Sequence, residues 1–146
     1  NALTNSDVLV EDKLFATLDP TIREVKKPMP FLLSDTVGFI QKLPTTLVNA
    51  FRGTLEEIVE SDLIVLVLDA SHPNRLEHLK TIEEIFASLS VHDYPKILAF
   101  NKIDLVSDAE LALIKQKFPQ ALFVSAQKRL NLDVLLDAVK DKIDMP

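Results

Sequence analysis

Residues 63–70, LIVLVLDA, are apolar at every position until the run ends on Asp69 and Ala70. A strand that is apolar at both parities has no polar face to give to water, so it must be covered on both sides. We expect a central strand of a parallel sheet. After it, Leu76, Leu79, Ile82, Phe86 and Leu89 recur at helical spacing, with Asn74 and Glu77 placed as cap and capping-box partner. The same alternation continues downstream: KILAF (96–100) is a strand, and Ser107 with Glu110 opens a helix whose stripe is Leu111, Ile114 and Phe118. Pro119 closes that helix, ALFV (121–124) is a third buried strand, and Leu132, Leu135, Val139 and Ile143 mark a last helix.

Upstream, FLLSD (31–35) is a strand, followed by a helix carrying Leu47, Phe51, Leu55 and Ile58. TIREVKK reads as an edge strand ended by the turn at Pro28 and Pro30, and residues 5–20 have neither period and read as loop. Strands and helices in this order imply an α/β fold, an open and mostly parallel sheet with helices on both faces. In such sheets ligands bind beyond the carboxyl ends of the strands. Three polar signatures are expected there on one ligand: Asp35 to Gly38, Asn101 to Asp104, and Ser125 with Ala126.

The bulk numbers exclude several classes. A chain of 146 residues with 47% hydrophobic and 26% charged residues folds around one core, as one domain. Cysteine is absent, which removes disulfides, thiolate metal sites and cysteine nucleophiles. The longest apolar run is far short of the ~20 residues that cross a bilayer, and no signal peptide opens the chain. A cytoplasmic protein, without a membrane span and monomeric, is the expectation. The net charge of −6 speaks against non-specific nucleic-acid binding and against a DNA partner, because that affinity comes from Lys and Arg neutralising phosphates.

Each signature has two chemical readings. In NKID, the Asp104 carboxylate can accept from two adjacent N–H groups, the pair that guanine presents and adenine lacks. Asn101 can bridge base and neighbouring loop, and the stem of Lys102 can lie along the base face. Equally, the tetrapeptide is a turn after a strand, with Asp104 as a helix cap. At Ser125 and Ala126 the Ala126 N–H can reach a base oxygen, or the pair is a simple turn. Asp35 can hold Mg²⁺ while the Gly38 N–H faces a terminal phosphate, or Asp35 caps a loop and Gly38 supplies a positive φ. Thr17 can enter the same metal's shell, or it belongs to a plain turn around Asp19 and Pro20.

Taken in order, VEDKLFATLDPT, LLSDTVGFIQKLP, LVNAFRGTLEEI, NKID and SAQ resemble the guanine-nucleotide-binding G domain of the translation-factor class. Most closely the chain resembles the HflX family of ribosome-associated GTPases. The resemblance implies a P-loop NTPase-type sheet, GTP as substrate with Mg²⁺, GTP and GDP as ligands, and the large ribosomal subunit as partner. It implies that Phe15, Ala16, Thr17, Leu18 and Asp19 form a first switch, with Thr17 a metal ligand. Asp35, Thr36, Val37 and Gly38 form a second, with Asp35 the other metal ligand. Asn101, Lys102, Ile103 and Asp104 take guanine specificity, and Ser125, Ala126 and Gln127 complete the base pocket. KRLNL follows where relatives usually carry glycines, so Asn131 is expected to take the unusual backbone instead. Phe39 stands where Ras-like enzymes have a water-orienting glutamine, which implies that other groups position the water.

A phosphate loop needs Gly-x-x-x-x-Gly-Lys-Ser/Thr. The only glycines are Gly38 and Gly53, so these residues do not contain it. NALTN at the start reads as the helix that such a loop opens. On this reading residues 1–146 are a partial G domain, first switch through last helix, without the first strand, the phosphate loop or an N-terminal domain. The 146 residues alone are then not expected to bind guanine nucleotides usefully or to hydrolyse GTP. A pseudo-GTPase that docks protein or RNA without catalysis is the competing class. Flavodoxin-like and receiver domains do not account for NKID followed by SA.

Overall fold

The structure, a computed structural model, describes residue 3 and residues 21–25, 31–35, 48–91 and 93–144. The expected loop at 5–20, the Pro28 and Pro30 turn, Leu47, Phe39 and the switch positions Phe15 to Asp19 and Thr36 to Gly38 lie outside the described residues. The chain divides into two units.

The first unit takes Leu3–Ser61 and Lys80–Asp93. Its strands β1 (Thr21–Val25) and β2 (Phe31–Asp35) pair antiparallel, with Thr21 opposite Asp35. Helix α1 (Val48–Glu60) follows and buries Ile58. The end of helix α2 (Arg75–Ser88) also belongs here, and its termination explains a local oddity. Ser90 has φ 58°, its N–H donates to Ala87 O (3.2 Å), and Val91 N–H donates to Phe86 O (3.1 Å). That double closure is a Schellman motif, with Ser90 where glycine is usual. Val91 and Phe86, both buried, are the apolar contact that accompanies it.

The second unit takes Asp62–Leu79 and Tyr94–Pro146. Strands β3 (Ile64–Asp69), β4 (Lys96–Asn101) and β5 (Leu122–Phe123) run parallel in the order β3-β4-β5. Parallel strands need long crossovers, and here helices supply them: α2 between β3 and β4, and α3 (Asp108–Lys117) between β4 and β5. Helix α4 (Leu132–Asp144) lies against β4 and buries Leu135 and Val139.

Strand β4 is the centre of this unit. Ala99 and Phe100 are fully buried, and the Phe100 ring stacks on Phe123 (centroids 5.5 Å apart) and tilts against Phe118 (5.3 Å). Lys115 Nζ sits 5.5 Å from the centre of the Phe123 ring, so a cation covers the outer aromatic face.

The alternation of elements is as expected, and three details differ. Among the described strands β4 and not β3 is central: β3 hydrogen-bonds to one neighbour, and its Val67 is 57% exposed. β5 is two residues long and half-buried because it is the outer strand of the set, and of the expected ALFV run only Val124 is buried. Leu76 and Ile143 continue the helical stripes but are exposed, since they fall in terminal turns of α2 and α4. Among the described residues β2 pairs with β1 and β3 with β4, and β2 does not pair with β3.

Replacing Phe100 by Ala empties the centre of the aromatic cluster. We expect a loss of about 3–5 kcal/mol, read as an earlier urea midpoint by circular dichroism.

Candidate functional site

The ends of β3 and β4 are level, because Asp69 pairs with Asn101 in the parallel register. Ala70 N–H donates to Asn101 O (2.9 Å), which carries the ladder one residue further. The chain then turns at Lys102, whose φ of 63° and ψ of 32° are left-handed. A non-glycine residue in that region costs about 1–3 kcal/mol and persists only where its surroundings hold it. Here both sides hold it. Ile103 N–H donates to Val124 O (3.3 Å) just after β5, and Ile103–Leu105 close a turn of 3-10 helix.

The second signature is joined to the first by side chains. Ser125, fully buried, donates from Oγ to Asp104 Oδ1 (2.7 Å) and accepts from Lys128 N–H (3.2 Å). Its backbone exchanges two bonds with Leu130, closing the segment 125–130 on itself. Asn101 Oδ1 accepts from Ala126 N–H (3.0 Å). NKID and SA are therefore one hydrogen-bonded constellation. Its only exposed carboxylate is that of Asp104, and among the described residues Asp104 Oδ2 has no partner.

These bonds remove helix capping from the readings of Asp104. The cap of α3 is Ser107, whose side chain accepts from Glu110 N–H (3.2 Å), so Asp104 is not the helix cap. The Glu110 carboxylate pairs with Arg75 (3.1 Å). The Ala126 N–H, expected on a base oxygen, is donated to Asn101, so a ligand oxygen would compete with that side chain for it. Gln127 is exposed in the turn that follows, and Ile103 is half-buried. Asn131 does take the unusual backbone, φ 59°, and its Nδ2 donates to Phe123 O (2.7 Å). Arg129 does so too, at φ 55°, with nothing in its side chain to announce it.

Asp69 was not legible as a site residue, since it reads as the end of a strand. Its Oδ1 accepts from Ser71 N–H (2.9 Å) and Ser71 Oγ (2.6 Å), and its Oδ2 lies 3.2 Å from Lys102 Nζ. Burial pushes the Asp69 carboxyl up, but the two Ser71 hydrogen bonds and the Lys102 ammonium outweigh it and hold it below the usual carboxylate value. The one available signal was a carboxylate closing an apolar run, level with the residue before Lys102.

Of the remaining expected site residues, Asp35 is the last residue of β2 in the first unit, where its backbone pairs with Thr21. Phe15 to Asp19 and Thr36 to Gly38 are not among the described residues. Among those that are, no helix is long and apolar enough to cross a membrane.

With this geometry in place, comparison with known proteins is informative. Residues 1–102 match the family described as 50S ribosome-binding GTPase. The chain belongs to that family. Within it, the chain is similar to GTPase HflX of Caldanaerobacter subterraneus subsp. tengcongensis, 42% identical over 145 residues, which are 98% of this chain and 33% of that protein. It is similar also to GTPase HflX of Alkalihalophilus pseudofirmus, 52% identical over 110 residues, 74% of this chain and 26% of that one. The HflX resemblance carried by the motifs is borne out, and the chain spans a third or less of the length of these two relatives. Among solved structures, Era in complex with MgGDPNP and nucleotides 1506-1542 of 16S ribosomal RNA matches with a TM-score of 0.79, covering 100% of this chain and 52% of that one. At 24% identity that likeness is one of fold, and it bears out the P-loop GTPase type for this member of the 50S ribosome-binding GTPase family.

Two outcomes follow for the constellation. Ser125→Ala leaves the Lys128 N–H and one Asp104 oxygen without their partner, and should cost about 1–3 kcal/mol in chemical denaturation. Because the folded Asp69 value lies below the unfolded one, its stabilisation is present above about pH 4. It is lost as pH falls through the folded value. Asp69→Asn should therefore flatten the acid limb of stability against pH below about 4.

Proposed function

We propose that these residues are the nucleotide-reading part of a GTP-hydrolysing, ribosome-associated protein of the cytoplasm, acting at the large subunit. The observation that carries the reading is the pair of side-chain bonds joining Asp104 to Ser125 and Asn101 to Ala126. They leave one Asp104 oxygen exposed and hold the carboxylate in a fixed orientation beside Lys102. Such a carboxylate accepts from the ring N–H and exocyclic amine of guanine together. Adenine offers no such pair, so the site reads guanine against adenine by hydrogen-bond polarity. Ser125 contributes by fixing Asp104, and Asn101 by tying the base loop to the end of β4.

The first and second switches are assigned to Phe15–Asp19 and Asp35–Gly38. Mg²⁺, held by Thr17 and Asp35, would neutralise charge on the terminal phosphates when bound. Thr17 lies outside the described residues, and Asp35 is the end of a strand, which is where such a carboxylate belongs. Hydrolysis is in-line attack of water on the γ-phosphate. With Phe39 in place of an amide side chain, the water is positioned by other groups, and we assign the acceleration of hydrolysis to the ribosome-bound state.

The test is base preference. In the complete natural polypeptide that contains these residues, Asp104→Asn replaces an acceptor with a donor, complementary to the carbonyl that xanthine carries in place of the amine. GTP affinity should fall roughly ten- to hundredfold, the equivalent of a hydrogen bond to a charged group at about 1.5–3 kcal/mol, and XTP affinity should rise. Competition binding with GTP and XTP reads both, and an unchanged preference would remove Asp104 from the base site.

A further inference from the structure

The ion pair between Lys102 and Asp69 is not one of the bonds that close the base-reading constellation, yet it is built with care. Asp69 is set by the β3–β4 register beside Asn101, the residue before Lys102. Its orientation does not depend on the lysine, because Ser71 holds Oδ1 with both its backbone N–H and its hydroxyl. Oδ2 is left for Lys102 Nζ at 3.2 Å, with 29% of the Asp69 side chain and 42% of the Lys102 side chain exposed. At that exposure an ion pair adds little to folding stability. Lys102 also occupies a left-handed backbone position, where glycine would be free of strain. A side chain kept at a strained position and anchored by a preset carboxylate points to a use for its orientation.

We propose that Asp69 is a positioning residue for the nucleotide site, fixing the Lys102 ammonium so that the lysine's aliphatic stem stands as one wall of the slot for a planar base. The ammonium is the tethered end and the methylenes are the working surface. Asp69 thus acts on retention of the base, while Asp104 acts on its identity. The inference rests on the guanine-nucleotide reading above. It adds a residue on a neighbouring strand that restricts the freedom of the stem before the ligand arrives. A wall already ordered loses less entropy on binding than a free lysine does.

The experiment uses the complete natural polypeptide and the GDP affinity and dissociation rate of a fluorescent guanine nucleotide. Asp69→Asn keeps an acceptor for Ser71 and puts an uncharged N–H donor where Oδ2 met the Lys102 ammonium. Lys102→Met keeps the stem and removes the tethered end. Each should raise the GDP dissociation constant about five- to tenfold, through faster dissociation, since affinity changes fall mainly on that rate. The double variant should be no worse than either single one, and Asp69→Glu should recover part of the loss. The ratio of GTP to XTP affinity should stay at the wild-type value in all of them, which a general loosening of the site would not allow. Wild-type dissociation in Asp69→Asn overturns the proposal. So do effects of the two single variants that multiply, and a loss of binding in Lys102→Met that tracks a fall in its melting temperature. If Asp69→Asn fails to fold, Lys102→Met alone decides, and wild-type dissociation in it overturns the proposal. If the unsubstituted protein binds no guanine nucleotide, the underlying reading falls first, and the proposal with it.

Discussion

The parallel ladder between β3 and β4 is the constraint on which the described site depends. Six residues on each strand pair in register from Ile64 with Lys96 to Asp69 with Asn101. A slip of one residue would turn each side chain to the opposite face of the sheet. Asp69 would no longer stand level with Asn101, and Phe100 would leave the core. The register is held from below by burial, with Ile64, Leu68, Ile97, Ala99 and Phe100 all inside. The tolerance for error at the strand ends is thus set by apolar packing some residues earlier.

That dependence separates rigid and adaptable parts. Phe100, Phe118 and Phe123 make the floor on which β4 and β5 end, ring against ring. Above it, two left-handed residues, Lys102 and Asn131, turn the chain where the ladders stop. Asn131 does so with its side chain bonded to Phe123 O, a compensation open to an amide but not to most residues. Lys102 is held instead by backbone bonds on either side of it, Ala70 N–H to Asn101 O and Ile103 N–H to Val124 O. Strain at the rim is held by specific bonds.

The match to the 50S ribosome-binding GTPase family takes in β3 and β4 up to Lys102, where the hydrogen-bonded constellation begins. The two motifs are joined by two bonds: Asp104 with Ser125, and Asn101 with Ala126. The division of labour is economical. One hydroxyl orients the carboxylate of Asp104, a residue that is itself exposed, and one amide holds the loop.

By itself the sequence determined the order of elements, the helix start at Ser107 and the unusual backbone of Asn131. These are local matters: apolar period, cap chemistry and a side chain suited to positive φ act over a few residues. NKID and SAQ could be recognised, and their residues named, for the same reason. Only the tertiary structure decided that Ser107 rather than Asp104 caps α3, that the Ala126 N–H goes to Asn101, and that β4 rather than β3 is central among the described strands. It alone brought Asp69 to Lys102, across a crossover helix that separates them in the chain. Which donor meets which acceptor over such separations depends on register and packing, and neither is written in the residues nearby.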